Sequence, residues 1–141
     1  MLVAFAGVLL RAWATGHLAK NEALATTGPF AFTRNPLYLG TLTIAAGFAL
    51  AGRNPWLATG FALYFALVYL PVIGEEESHL RDLFPGYPAY AARVPRFVPR
   101  RPPSGHSPAK FRWSLYLRNR EYQALLAFLV GATLLVWKLE Q

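Results

Sequence analysis

The stretch that decides the fold runs from Gly28 to Gly40 and reads G-P-F-A-F-T-R-N-P-L-Y-L-G. A proline fixes its own φ, lacks a backbone N–H and keeps the preceding residue out of the α region. We therefore expect an extended Asn35 to cap a helix that begins at Pro36. Residues 37–51 carry no charge. The sequence thus predicts a constrained loop that leads into an apolar helix, and the free N–H groups of that helix's first turn suit an anionic ligand.

Uncharged runs along the chain predict an all-α transmembrane bundle of about four spans. The 141 residues are enough for one domain, and 55% of them are hydrophobic against 15% charged. Apolar residues gathered into such runs are typical of multi-span membrane proteins. The expected spans are residues 2–19, 37–51, 56–73 and 122–137. Because a tight G-R-N-P turn joins the second and third spans, we expect these two to form an antiparallel hairpin.

The charge distribution predicts which face of the bundle lies in the cytoplasm. The net charge is +7, and twelve of the fourteen Lys and Arg residues fall on one side of the four-span arrangement, with Arg53 and Lys138 opposite. This asymmetry follows the positive-inside rule, which explains the basic residues better than nucleic-acid binding does. The chain has no cysteine, and its three histidines are not at metal-ligand spacing. We therefore expect an integral membrane protein with neither a nucleic-acid partner nor a metal site.

A basic, aromatic cap over residues 75–103 is predicted on the cytosolic side, after the third span. It opens with E-E-E-S-H-L-R-D-L-F from Glu75 to Phe84, which is a short amphipathic pattern. Carboxylates at a helix C-terminus oppose the helix dipole, so we expect this run to begin a new helix. Four prolines between residues 95 and 103 exclude a long helix in the remainder of the cap.

The predicted hairpin brings two polar motifs together, Arg34-Asn35-Pro36 and Glu75-Glu76-Glu77. A ligand with both a carboxylate and an ammonium group would suit them. The helix start and Arg34 would take the carboxylate, and a glutamate would take the ammonium or a ribose hydroxyl. The alternative is that the acidic run only solvates a helix end, as most charge runs do. Tyr38 is explained equally well as a packing residue and as a site residue. His79 is better explained as a surface residue, and Tyr87 and Tyr90 as packing of the cap, although each is also a candidate for the site.

Taken in order, these motifs resemble the isoprenylcysteine carboxyl methyltransferase and phospholipid methyltransferase superfamily of integral membrane enzymes. The order is G-P-F-A-F-T-R-N-P-L-Y-L-G, an apolar hairpin, E-E-S-H-L-R-D-L-F and Y-P-A-Y-A-A-R-V-P-R-F-V-P. The resemblance covers about residues 24–99, and the flanking R-A-W-A-T-G-H-L-A-K-N-E and L-R-N-R-E-Y segments are similar to a bacterial branch. It implies a bacterial inner-membrane enzyme that uses S-adenosylmethionine. The cofactor pocket would lie at the cytosolic helix ends, under the cap.

The resemblance also implies roles for individual residues. The catalytic candidates are Glu77 and Arg93. The cofactor-binding candidates are Gly28, Pro29, Phe30, Arg34, Asn35, Pro36, Tyr38, Leu39, Glu76, Glu77 and Tyr90. The adjoining helix and cap positions are Leu80, Phe84, Arg96 and Phe97. This chain departs from the family at Asn35, where the family has histidine, because asparagine can hydrogen-bond a cofactor but cannot act as a base. The spacing from Phe84 to Tyr87 is also one residue tighter than the family's F-G-x-x-Y.

The implied function is transfer of a methyl group to a lipophilic acceptor, either the carboxylate of an isoprenylcysteine-like compound or a lipid amine. The expected partners are this acceptor and the membrane lipids. One rival is a nicotinamide-dependent membrane reductase of similar architecture, in which the nucleotide phosphate would need basic residues. The candidates for that role are Arg93, Arg96, Arg100 and Arg101. A second rival is a non-enzymatic membrane scaffold or transporter subunit, which would bind no cofactor.

Overall fold

A computed structural model of the chain describes residues 1–19, 22–100 and 111–141. Within these ranges the regular secondary structure is helical and includes no strand. The α-helices are numbered here α1 (Leu2–Thr15), α2 (Pro36–Gly52), α3 (Pro55–Leu83), α4 (Tyr87–Arg93), α5 (Trp113–Arg118) and α6 (Tyr122–Leu139). A short 3-10 helix, Gly28–Ala31, precedes α2. The all-α prediction is therefore confirmed for the described part of the chain.

Helices α3 and α6 are long and apolar enough to cross a membrane, with 29 and 18 residues. Both leave most of their apolar side chains exposed, as a lipid-facing helix does. Helices α1 and α2 are also apolar but shorter, with 14 and 17 residues. At a rise of about 1.5 Å per residue, α2 is roughly 26 Å long, somewhat less than a hydrocarbon core of about 30 Å. Two of the four expected spans thus meet the length criterion, and the four-span arrangement stays a prediction.

Small residues allow α1 and α2 to pack closely. A Cβ added to Gly47 would lie 2.3 Å from the backbone nitrogen of Ala4, and one added to Gly7 would lie 2.6 Å from the carbonyl oxygen of Gly40. Such close backbone approach is typical of helices that associate through small residues. The absent Cβ of Gly40 also leaves room for Arg11, whose Cγ would otherwise lie 2.5 Å away. Gly40 and Gly47 therefore form the face of α2 that packs against α1.

The prediction that a new helix begins at Glu75 is wrong, because α3 is continuous from Pro55 to Leu83. Pro71 lies inside this helix, where its missing N–H and its ring disturb the preceding turn. A π-helical turn at Phe65–Tyr69 precedes Pro71 and accommodates that disturbance. Gly74 does not end the helix either, since an interior glycine costs only about 1 kcal/mol relative to alanine. The acidic run consequently lies within the last turns of a long helix.

The first predicted span, residues 2–19, forms a helix only as far as Thr15. Gly16 ends it beneath the ring of Phe111, where an added Cβ would lie 2.0 Å from the ring. The amide of Asn119 donates to the carbonyl of Thr15 at 3.1 Å. The segment that precedes α6 therefore covers the end of α1, a contact that local sequence patterns do not reveal.

The described part of the predicted cap consists of the end of α3, the short helix α4 and a non-helical segment after it. Tyr87, Tyr90 and Val94 form a buried cluster, against which Leu80 and Leu24 pack. The exclusion of a long helix is confirmed, since α4 ends at Arg93. Residues 101–103 of the predicted cap, which include Arg101, lie outside the described residues. The assignment of this region to the cytosolic side stays a prediction.

Candidate functional site

A cavity of about 410 Å³ lies between the start of α2, the second half of α3 and α4. This volume falls within the range of roughly 300–1,000 Å³ that is usual for small-molecule sites. The lining comes from α1 and the segment after it (Arg11, Leu18, Ala23, Leu24, Ala25), from the loop and α2 (Phe30, Arg34, Asn35, Pro36, Leu37, Tyr38, Thr41), from α3 (Tyr69, Glu76, Glu77, His79, Leu80) and from the cap (Phe84, Tyr87, Tyr90). One wall is therefore built around the loop that precedes α2.

Asn35 occupies the N-cap position of α2, as predicted, but its side chain does not cap the helix. Its φ of −129° and ψ of 59° lie outside the α region and short of a fully extended conformation. The side-chain Nδ2 donates to the carbonyl of Arg96 at 3.0 Å. Asn54, which likewise precedes a proline, instead accepts a hydrogen bond from the backbone N–H of Trp56 at 2.9 Å. The first turn of α2 is thus left without a side-chain cap where Pro36 and the next two residues line the cavity.

Arg34 contributes a partly unsatisfied guanidinium to the same wall. Its backbone N–H donates to the carbonyl of Pro95 at 2.9 Å, which fixes the loop against the cap. The side chain is 15% exposed, and its Nε is buried with no hydrogen-bond partner among the described residues. A buried donor without a partner costs about 1–3 kcal/mol, and more when it is charged. The atom therefore marks a place where an acceptor group of a ligand would be favourable.

Glu77 lies between two arginine side chains, those of Arg34 and Arg96. Its Oε1 accepts a hydrogen bond from Nε of Arg96 at 3.1 Å and lies 3.8 Å from Nη1 of Arg34. The Glu77 side chain is 17% exposed, so these interactions are only partly screened by water. The predicted meeting of the Arg34 loop with the acidic run is confirmed. Glu77 is ion-paired at the cavity and does more than solvate a helix end.

Glu76 forms a second link between α2 and α3. Its Oε1 accepts a hydrogen bond from the hydroxyl of Tyr38 at 2.8 Å. The ring of Tyr38 packs edge-on against Tyr69, with 5.6 Å between the ring centroids. These contacts place a carboxylate and a phenol side by side on the cavity wall.

Tyr90 fixes α4 over the cavity. Its hydroxyl donates to the carbonyl of Phe30 at 2.6 Å, across 60 positions in the sequence. Burial raises the pKa of the Tyr90 phenol, and the neighbouring Tyr87 raises it further. The neutral, hydrogen-bonding form of this residue is therefore favoured in the folded protein.

Several predicted site residues do not line the cavity. Gly28 adopts a φ of +59° beside the ring of His17, where a Cβ would lie 2.5 Å from the imidazole. Pro29 is buried in the 3-10 helix, and Leu39 lies on α2 away from the lining. Arg93 is exposed, and its Nε donates to a carbonyl of its own helix, that of Ala89, at 3.3 Å. The structure does not bring these four candidates to the cavity.

The cavity also contains residues that the sequence did not single out, notably Arg11, Thr41 and Tyr69. Arg11 is the most informative of them. Its guanidinium forms an ion pair with Glu121, at 2.7 Å from Nε to Oε1, and donates to the carbonyl of Leu37 at 3.3 Å. A charge inside an apolar run was the available signal, because such residues usually have a partner or a function.

Comparison with known proteins identifies the family. A sequence model of the phospholipid methyltransferase family matches residues 4–86. The chain belongs to this family. The match includes Arg34, Glu76 and Glu77, and it confirms the resemblance to the isoprenylcysteine and phospholipid methyltransferase superfamily. The family takes its name from phospholipid methyltransferase activity.

Two curated relatives were found. The cobalt-zinc-cadmium resistance protein CzcN of Cupriavidus metallidurans is 36% identical over 92 residues, and the nickel-cobalt-cadmium resistance protein NccN of Alcaligenes xylosoxydans xylosoxydans is 37% identical over 92 residues. Each alignment covers 64% of this chain and 43% of the relative, so the chain spans less than half the length of these proteins. No solved structure matches. Among the described residues, no group of three or more His, Cys, Asp or Glu side chains is arranged to hold a metal ion.

Proposed function

We propose that the chain binds S-adenosylmethionine in this cavity and transfers its methyl group to a lipophilic acceptor at the membrane. One observation carries the proposal. Arg34 and the uncapped start of α2 line the same cavity as two carboxylates, those of Glu76 and Glu77. The methionine end of the cofactor is a zwitterion and needs groups of both signs. Membership of the phospholipid methyltransferase family supports the same donor.

The residues present fit the cofactor. The buried, unpartnered Nε of Arg34 offers a donor for its carboxylate, together with the first-turn N–H groups of α2. Among the described residues, both arginine contacts to Glu77 involve Oε1, so Oε2 is the oxygen that would take an ammonium group. Leu24, Leu80 and Phe84 supply apolar lining for the nucleoside. The volume of about 410 Å³ is also suitable for a ligand of this size.

When bound, the cofactor supplies an electrophilic methyl group on a sulfonium. The protein's part is to hold donor and acceptor in line and to keep water away. The cap serves the second purpose, since Tyr87 and Tyr90 are 1% and 3% exposed and line the cavity. Glu76 lines the cavity with Tyr38 hydrogen-bonded to it, so it is placed to accept the proton that an amine acceptor must lose. A carboxylate acceptor loses no proton and needs no such base.

The exposed apolar surfaces of α3 and α6 support a lipophilic acceptor, because they suit a lipid environment next to the cavity. Either an isoprenylcysteine-like carboxylate or a lipid amine would serve. The excess of basic residues on one face supports a cytoplasmic orientation of the site in a bacterial inner membrane. Glu77 is retained as a candidate catalytic residue through its place in the cavity, whereas Arg93 lies outside the lining and is assigned no step.

Isothermal titration calorimetry of the purified protein in detergent tests the donor. We expect the wild type to bind S-adenosylmethionine, and Glu77→Gln and Arg34→Gln each to weaken binding at least tenfold. Glu22→Gln is the matched control, since Glu22 forms an exposed ion pair with Arg118 outside the cavity lining. Unchanged affinity in both cavity variants would refute the assignment. Mass spectrometry of lipid extracts incubated with methyl-labelled donor would then identify the acceptor.

The nicotinamide alternative can be tested in parallel. Of the basic residues that it would need for a nucleotide phosphate, Arg93, Arg96 and Arg100 do not line the cavity. Arg101 lies outside the described residues. A rise in melting temperature with S-adenosylmethionine and none with NADPH supports the methyltransferase, and the reverse supports the reductase. No shift with either ligand supports the non-enzymatic alternative.

A further inference from the structure

Two side chains from the loop before α2 converge on one carbonyl of the cap. The hydroxyl of Thr33 donates to the carbonyl oxygen of Arg96 at 3.1 Å, and Nδ2 of Asn35 donates to the same oxygen at 3.0 Å. We propose that Asn35 is a positioning residue, which fixes the carboxylate of Glu77 through Arg96 and does not itself bind the ligand. The inference rests on the proposed function for the identity of that ligand.

The convergence is part of a continuous attachment between the loop, residues 32–35, and a strap, residues 94–100. The backbone N–H of Arg34 donates to the carbonyl of Pro95 at 2.9 Å, and that of Arg100 donates to the carbonyl of Phe32 at 3.0 Å. The Arg96 carbonyl lies between these two bonds in the strap. A carbonyl oxygen has two lone pairs, so Thr33 and Asn35 together can satisfy it fully. The backbone of Arg96 is thereby held at a defined distance from the start of α2.

The two side chains that donate to the Arg96 carbonyl are buried. Thr33 is 1% exposed and Asn35 is 9% exposed. A buried polar side chain that loses its hydrogen-bond partner pays a desolvation cost, so Thr33 and Asn35 favour the position in which both reach the Arg96 carbonyl. The backbone N–H of Asn35 also donates to the Thr33 hydroxyl, at 3.3 Å, which orients that hydroxyl.

The side chain of Arg96 links the strap to Glu77, so the position of the strap determines the position of the Glu77 carboxylate. Its Nε donates to Oε1 of Glu77 at 3.1 Å, and its Cζ lies 5.4 Å from the ring centroid of Phe97. Phe97 in turn packs edge-on against Phe65 of α3, at 6.1 Å between centroids. The guanidinium is thus held between an aromatic ring and the carboxylate. A shift of the strap would move the group that orients Glu77.

The two Asn-Pro sequences of the chain separate this role from ordinary helix capping. Asn54 uses its Oδ1 as an acceptor for the first turn of α3, from Trp56 at 2.9 Å and from Leu57 at 3.4 Å. Asn35 uses its Nδ2 as a donor to the strap and makes no capping bond. An aspartate could replace the first function but not the second, because a carboxylate has no N–H. Position 35 therefore requires a donor, and position 54 requires an acceptor.

A double-mutant cycle tests the inference. Asn35→Asp, Arg96→Gln and the double variant would be titrated with S-adenosylmethionine by calorimetry. We expect each single change to weaken binding about tenfold, and the double variant to bind no more weakly than Arg96→Gln alone, because Asn35 acts through Arg96. If the two losses of affinity instead multiply, so that the double variant binds about a hundredfold more weakly than the wild type, the proposal is overturned. An Asn35→Asp variant with wild-type affinity would also overturn it.

Further variants keep the test decisive if Asn35→Asp fails to fold. Thr33→Val removes the second donor to the same carbonyl and is expected to weaken binding of S-adenosylmethionine. Thr33→Ser keeps the hydroxyl and is expected to bind with wild-type affinity. A Thr33→Val variant with wild-type affinity would contradict the proposal. Asn54→Asp is the matched control and should bind normally, since its acceptor oxygen is retained. Weakened binding by Asn54→Asp would show that an Asn-to-Asp change is harmful wherever it is made.

A ligand-free measurement separates failure of this inference from failure of the proposed function. Hydrogen exchange of the strap peptide, residues 94–100, should be faster in Asn35→Asp than in the wild type and unchanged in Asn54→Asp. If the wild type binds no S-adenosylmethionine, the proposed function fails, and the exchange result alone decides whether Asn35 holds the strap. Unchanged exchange in Asn35→Asp would overturn the positioning role whatever the ligand.

Discussion

The guanidinium of Arg11 and the carboxylate of Glu121, which are 110 positions apart in the sequence, form a bidentate ion pair. The distances are 2.7 Å from Nε to Oε1 and 3.2 Å from Nη2 to Oε2. Glu121 is 6% exposed and directly precedes α6. The same guanidinium donates to the carbonyl of Leu37 and to the hydroxyl of Thr41. The start of the last helix is therefore tied, through one arginine on α1, to the first turns of α2 beside the cavity.

Breaking this pair on one side should destabilise the protein strongly. Glu121→Ala leaves the Arg11 charge without its partner in partly buried surroundings, and such losses cost roughly 3–5 kcal/mol. Removing both charges, with Arg11→Met and Glu121→Leu together, should cost less than Glu121→Ala alone. Unfolding in detergent, followed by circular dichroism, measures the difference. Glu22→Ala, which breaks the exposed pair with Arg118, should leave the melting temperature unchanged, and equal losses in Glu22→Ala and Glu121→Ala would contradict the prediction.

The contact between α1 and α2 gives a second stability prediction. Gly47→Ala places a methyl group against backbone atoms of Ala4 at 2.3–2.6 Å, so the helices must separate. Forced overpacking of this kind costs typically about 1–3 kcal/mol. Gly60→Ala is the matched control, since among the described residues its added Cβ would meet nothing within 4 Å beyond the backbone of its own helix, and alanine favours a helix. Thermal melts should show a clear loss for Gly47→Ala and no loss for Gly60→Ala. Equal melting temperatures would show that the close approach is not needed.

The sequence predicted the helices that depend on local signals. Pro36 begins α2 with Asn35 at the N-cap because proline and its neighbour fix the local backbone. The predicted break before Glu75 failed because the interruption at Pro71 is accommodated by a π-helical turn, which no local pattern in the sequence indicated. Charge-dipole reasoning was also outweighed, since the Glu77 carboxylate has arginine partners from outside its own helix.

The sequence predicted which motifs meet at the site, but it did not predict which side chains contact one another there. The hairpin argument brought Arg34 to Glu77, because antiparallel helices return to one face. The roles of Arg11 and of the Asn35 amide depend on segments more than 60 residues away, which only the tertiary fold brings near. Arg93 failed to reach the cavity for the same reason, since a position on a seven-residue helix does not reveal which side it presents.

The Tyr38 hydroxyl gives a prediction about the cavity itself. Tyr38→Phe removes the hydrogen bond to Glu76 but keeps the ring contact with Tyr69. We expect a fall of about three- to tenfold in methyl transfer or cofactor affinity, with little change in melting temperature. Tyr64→Phe is the matched control, because Tyr64 also packs on Tyr69 but lies outside the cavity lining. Equal effects of the two changes on binding and transfer would mean that the Tyr38 hydroxyl has no particular role.

The buried phenol of Tyr90 leads to a prediction about the stability of the folded protein at alkaline pH. Burial raises the pKa of its phenol above the unfolded value of about 10, so the folded protein favours the protonated form. The resulting stability is fully present below pH 10 and is lost as the pH rises from there towards the folded pKa. Tyr90→Phe loses the hydrogen bond to the Phe30 carbonyl and should therefore be less stable than the wild type at pH 7, by about 1 kcal/mol. Its stability should then fall less than that of the wild type as the pH rises, because the variant has no phenol at this position. Melting temperatures measured from pH 7 to pH 11 should therefore converge for the two proteins, whereas Tyr122→Phe, at an exposed position, should follow the wild type throughout. Parallel curves for wild type and Tyr90→Phe would show that ionisation of Tyr90 is not coupled to unfolding.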